Sequence, residues 1–137
     1  MLADKDAIRD LMHRYCFCMD EGRFAELATL FADDGVWSAP YRTETGPAAI
    51  EAWLIQSVPA TPKRMHYVMN SLIAVDGASA TARSNYLVMV EGPDGPVPSV
   101  CGTYADTYTK TAQGGWRFQR RELIHAFKGE MRLQLPQ

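Results

Sequence analysis

Thr81-Ala-Arg-Ser-Asn-Tyr-Leu-Val-Met-Val-Glu91, Val100-Cys-Gly-Thr-Tyr-Ala-Asp-Thr-Tyr-Thr-Lys-Thr111 and Trp116-Arg-Phe-Gln-Arg-Arg-Glu-Leu-Ile-His-Ala-Phe127 decide the fold. All three are rich in β-branched and aromatic residues, which fit a pleated, half-buried surface. They are parted only by Gly92-Pro-Asp-Gly-Pro96 and Gln113-Gly-Gly115, compositions that make turns. A fourth apolar run, Met65 to Val75, precedes them and ends at Asp76-Gly77, a hairpin signal. Four long strands joined by short turns are an antiparallel meander.

Upstream the period changes. Ile8, Leu11, Met12, Tyr15, Cys16 and Met19 recur at helical spacing, with Asp4 or Asp6 placed to cap the helix and Gly22 to end it. A second, short helix is expected over Phe24 to Phe31. Ala32-Asp33-Asp34-Gly35 reads as a turn and Val36-Trp37-Ser38 as a short strand. Gly46-Pro47 opens a third helix, whose apolar stripe is Ile50, Trp53 and Leu54, and Pro59 and Pro62 stop it. Helices first and a meander afterwards predict an α+β domain, with three N-terminal helices packed on a curved antiparallel sheet. No repeat, low-complexity tract or long linker divides residues 1–137, so a single domain is expected.

The bulk properties narrow the partners. Hydrophobic residues make up 47% and charged residues 22%, an ordinary globular composition rather than a disordered one. Fourteen basic residues against 16 acidic ones leave a net charge of −2 and no basic stripe, which argues against a nucleic-acid partner. No apolar run approaches the ~20 residues that span a bilayer, and the first residues are charged at once, unlike a signal peptide. A cytoplasmic protein is expected. Cys16, Cys18 and Cys101 read as reduced thiols, and without Cys-x-x-Cys or His-x-x-x-His no metal site is expected.

Some polar residues stand where apolar ones belong. Asp20 lies four residues after Cys16 and eight after Met12, so it extends the core-facing stripe of the first helix. Either its carboxylate is buried and paired, or the helix has ended and Asp20 is solvated beside Gly22; the local sequence leaves both open. His66 opens an apolar strand, and Asn70 shares its face by period two. A lone strand histidine is commonly a satisfied core residue, yet a His–carboxylate pair is also what general-base chemistry needs near neutral pH. Tyr15 lies ~7.5 Å behind Asp20 along the helix, deep enough to offer its phenol to a substrate oxygen or simply to fill the core. Tyr86, Tyr104 and Tyr108 have weaker claims, since tyrosine is common in strands.

Four segments together resemble a known family. They are Arg14-Tyr15 with Met19-Asp20, then Leu30-Phe31-Ala32-Asp33-Asp34, then His66-Tyr67-Val68-Met69-Asn70, and last Gly102-Thr103-Tyr104 with Gly114-Gly115-Trp116-Arg117-Phe118. The chain is similar, over nearly its whole length, to the SnoaL-like branch of the nuclear-transport-factor-2-like superfamily. That resemblance implies a cone-shaped α+β barrel around one apolar pocket. Its cofactor-free members include dehydratases and a dehydrochlorinase in which a strand histidine is the base and a helix aspartate orients it. By that likeness His66 and Asp20 take those roles and Tyr15 assists the leaving group. Asn70, Arg121, Tyr104 and Trp37 become the expected substrate contacts, with Arg120 exchanging for Arg121 if the strand bulges. A lyase or isomerase of a small apolar or aromatic molecule, needing no cofactor, is the activity implied. The alternative is a non-catalytic subunit, like the small subunit of ring-hydroxylating dioxygenases. A homodimer or homotrimer is expected, built on a sheet face carrying Tyr104, Tyr108, Trp116 and Phe118.

Overall fold

The computed structural model describes residues 1–127. The first helix, α1, runs Leu2–Asp20, and Gly22, at φ 68°, turns the chain out of it into α2, Phe24–Ala28. Then come β1, Phe31–Ala39; β2, Arg42–Thr45; and α3, Pro47–Ser57, with Pro47 in its first turn. Four long strands complete the order: β3, Arg64–Asp76; β4, Ser79–Gly92; β5, Gly95–Lys110; and β6, Trp116–Phe127. They form one six-stranded sheet in the order β2-β1-β6-β5-β4-β3. All pairings are antiparallel except β1 with β6, which is parallel and carries the chain from the helical half to the far end of the meander.

One face of the sheet packs on the helices. Ile8, Leu11, Met12 and Tyr15 of α1 are buried against Tyr104, Tyr108 and Phe118 of the sheet, with Ile50 and Leu54 of α3 closing the core. Each such aliphatic side chain contributes roughly 1.5–3 kcal/mol on leaving water. The Tyr15 ring meets Tyr104 and Phe118 edge-on, at centroid separations of 6.0 and 5.9 Å. This is the mixed α+β architecture that the sequence predicts.

Several local expectations need correction. Asp33-Asp34-Gly35 is not a turn but part of β1, where the register against β6 shifts between Phe31 and Val36. Neither Asp4 nor Asp6 caps α1, which starts at Leu2 with no side-chain cap. Asp4 instead accepts hydrogen bonds from Lys110 Nζ (2.8 Å) and Trp116 Nε1 (2.9 Å), tying the first turn of α1 to β5 and β6. The short strand β2 carries no apolar alternation, so nothing in its sequence announced it.

The face expected to carry the oligomer contact is the inner face of the sheet. Tyr104, Tyr108, Trp116 and Phe118 are all buried under the helices. The outer face exposes Met65, Tyr67 and Met69 of β3 together with Ile124 of β6.

Candidate active site

Asp20 is the last residue of α1, and His66 is the third of β3. The Asp20 carboxylate accepts the backbone N–H of His66, at 2.9 Å to each oxygen, and Oδ1 lies 2.5 Å from the His66 ring Nδ1. Both side chains are nearly buried, 11% exposed for His66 and 14% for Asp20. The backbone bonds fix the carboxylate before the ring is considered, so the imidazole meets an acceptor held in place by the main chain. With Asp20 accepting Nδ1–H, the ring presents Nε2 as its free base.

His66 lines a cavity of about 350 Å³ between α1, α3 and the sheet. Tyr15, Trp37 and Tyr104 line it as well, so the structure gathers His66, Tyr15, Trp37 and Tyr104 around one space, with Asp20 behind His66 and outside the lining. The Trp37 Nε1–H donates to the Tyr15 hydroxyl at 2.9 Å. That bond occupies a lone pair of the phenol oxygen and leaves Tyr15's own proton to be donated. Burial pushes the Tyr15 hydroxyl up to about 12, against the opposing pull of the Arg121 charge, so it stays a neutral donor.

Two expected substrate contacts lie elsewhere. Asn70 is exposed and does not line the cavity. Val68 pairs with Tyr86 and Ser71 with Ser84, so β3 carries one extra residue in a bulge between them. Period two from His66 holds at Val68 and breaks before Asn70. Arg121 is inward but does not reach the cavity. It is fully buried, donating from Nε to Asp106 Oδ1 (2.9 Å) and from Nη2 to Oδ2 (2.8 Å). The Tyr15, Tyr104 and Phe118 rings surround its guanidinium, with centroids at 4.3, 3.8 and 4.4 Å. Burial opposes the Arg121 charge, but the Asp106 carboxylate more than offsets it and holds the group protonated. A register shift between Thr107 and Tyr108 inserts Gln119 in β6, which sends Arg121 inward and leaves Arg120 half-buried.

Other cavity residues were missed by sequence reasoning. His125 and Leu123 follow Arg121 at period two, and Val88 lies on β4 two residues after Tyr86, which the sequence offered only as a weaker candidate; all four line the cavity. Counting alternation from the buried Arg121 rather than from the start of β6 finds the first pair. Tyr41 and Trp53 reach the cavity from the β1–β2 turn and from α3. Among the described residues, no three His, Cys, Asp or Glu side chains gather as a metal-binding group.

The model of the SnoaL-like domain matches residues 1–122. The chain belongs to the SnoaL-like domain family. An uncharacterised protein from Mycobacterium tuberculosis is 29% identical over 136 residues, covering 95% of this chain and 90% of that protein. Among solved structures, a protein from Novosphingobium aromaticivorans, provisionally assigned as a scytalone dehydratase, is 30% identical with a TM-score of 0.81. That match covers 97% of this chain and 91% of the other. A second protein of the same organism, a nuclear-transport-factor-2-like protein with a cystatin-like fold, is 27% identical with a TM-score of 0.83, covering 92% and 85%. The SnoaL-like fold of this chain is therefore shared with proteins of that superfamily.

Proposed function

We propose that this SnoaL-like protein is an acid–base enzyme that removes a proton from carbon in a small apolar or aromatic molecule, leading to elimination or isomerisation. The observation that carries this reading is the 2.5 Å contact of Asp20 with His66 at the wall of an aromatic cavity. His66 Nε2 takes the substrate proton. Asp20 holds the ring by its Nδ1–H and stabilises the imidazolium that forms. Tyr15 donates its remaining proton to an oxygen of the substrate or leaving group. Every group the step needs is a side chain of this chain, so the reading requires no cofactor. The likeness to a provisionally assigned scytalone dehydratase supports the same class of reaction.

Small hydroxylated and halogenated cyclic compounds are the first substrates to screen. Positioned general bases contribute ~10²–10⁴-fold, so His66→Ala is expected to lose at least ~10²-fold in kcat while keeping its fold. A folded His66→Ala variant with full activity would refute the mechanism.

The reading extends to assembly. We infer a homodimer or homotrimer in which a second copy covers the outer face of β3, where Met65, Tyr67 and Met69 are about half exposed. An apolar row on an edge strand is what a like chain would bury.

A further inference from the structure

A second cavity, of about 290 Å³, adjoins the first at the end of α1. Asp20 lines only this second cavity and His66 only the larger one, so the pair stands in the wall between them. Met19, Val58 and Arg64 line both. Of these three, Arg64 alone carries a charge. It opens β3 two residues before His66, and the pairing Arg64 with Val90, Met65 with Met89 and His66 with Val88 runs unbroken. The two side chains therefore share one face of the strand, with Cα atoms ~6.6 Å apart.

The charges around the second cavity are unequally satisfied. Its two carboxylates are engaged, Asp20 with His66 and Glu21 with Arg23 Nε at 2.9 Å. Its two cations, Lys63 and Arg64, form no ion pair among the described residues. Lys63 is exposed, so water serves it. Arg64 is half-buried, and its only hydrogen bond among the described residues is a long one, from Nη2 to the Pro59 carbonyl at 3.4 Å. A guanidinium has five N–H donors, and burial without an anion costs it hydration that nothing in the described chain replaces.

We propose that Arg64 holds the carboxylate of a cyclic or aromatic carboxylic acid whose ring system lies in the larger cavity against His66. The planar guanidinium fork matches a carboxylate by two parallel N–H···O bonds. Beyond Arg64 the larger cavity is walled mainly by aromatic and aliphatic side chains, which suit a ring. The assignment rests on reading that cavity as the substrate site, and it names the substrate class. The strand spacing sets the carboxylate about one fused ring away from the C–H that His66 attacks. Arg64 thus binds and orients the acid and takes no part in moving the proton.

The test compares 2-naphthoate with its neutral counterpart 2-naphthalenemethanol at pH 7, on the whole protein and its Arg64→Gln and Lys63→Gln variants. Affinity is read by amide NMR titration and the fork contact by the shift of the Arg64 Nε–H signal. The wild type should bind the acid about tenfold or more tightly than the alcohol, with the Arg64 signal moving on addition of the acid alone. Arg64→Gln should lose that preference while binding the alcohol as before, and Lys63→Gln should keep it. Should Arg64→Gln not fold, Arg64→Lys, which keeps the charge but not the fork, is expected to lose most of the preference. Equal affinities in the wild type, no saturable binding of either compound, an unmoved Arg64 signal, or a preference that survives in the Arg64 variants would each overturn the assignment. No readout depends on turnover. Preference for the acid in a protein that never catalyses would sink the acid–base reading and leave Arg64 in its role, whereas His66-dependent turnover of neutral compounds without that preference would do the reverse.

Discussion

Asp20 shows how one residue can serve fold and chemistry together. Its carboxylate ends α1 and takes both the backbone and the ring N–H of His66, so it joins the first helix to the edge strand while orienting the imidazole. Asn at this position keeps the size but offers an N–H where an acceptor is needed, which permits the wrong imidazole tautomer. Asp20→Asn is therefore expected to lose at least ~10²-fold in kcat with the fold retained, measured beside His66→Ala on the same substrate. Asp106 has a different task. It pairs with Arg121 where neither side chain is exposed, so Asp106→Ala should destabilise the protein by about 3–5 kcal/mol in urea unfolding, leaving an uncompensated buried cation. Asp4 is held at about 2, well below the ordinary carboxylate value, first by its hydrogen bond to Lys110 and then by Trp116. Its folded value lies below the unfolded one, so the tie stabilises the protein above the unfolded value and is lost as pH falls towards 2. Asp4→Asn should lower Tm at pH 7, and the gap to wild type should close between pH 4 and pH 2. A gap that stays constant in acid would show that the charge of Asp4 is not what holds the first turn.

At the scale of elements, the limits of the sequence reading follow from bulges. Uninterrupted alternation made the four long strands legible, and helical spacing made α1 and α3 legible. Alternation counted across β3 failed at Asn70, and alternation counted across β6 could not choose between Arg120 and Arg121, because each strand carries an extra residue that no local composition marks. The placement of Tyr104, Tyr108, Trp116 and Phe118 on the outer face failed for another reason. Period two shows which residues share a face but not which face the helices cover. Asp20 was open between solvent and core until His66 supplied a partner. Gly102 explains a further register shift, between Cys101 and Gly102 of β5. A Cβ there would lie 2.0 Å from the Ile124 carbonyl oxygen, so only glycine lets β6 approach β5 where the register shifts and His125 enters the cavity wall. Gly102→Ala should cost about 3 kcal/mol by forced displacement of β6, read as a lower urea midpoint. An unchanged midpoint would mean that β6 gives way freely.

For the whole molecule, the curved sheet does two things at once. Its inner face supports α1 and α3 and surrounds the cavity, while its outer face leaves Met65, Tyr67 and Met69 to water. Light scattering at micromolar concentration should give the mass of a dimer or trimer, and Met65→Lys with Tyr67→Lys should shift it towards the monomer. A wild-type monomer would contradict that assembly. The fold itself constrains the chemistry only loosely, because one architecture hosts many reactions and the side chains that line the cavity select among them. The central claim is that His66 takes a proton from carbon, and proton exchange tests it without depending on which later step follows. With a substrate from the screen in D₂O, NMR should show deuterium entering substrate or product at the carbon next to the polar group in wild-type protein. Exchange at that carbon should be at least ~10²-fold slower in folded His66→Ala. Exchange no faster than in buffer, or equally fast in the variant, would contradict the account.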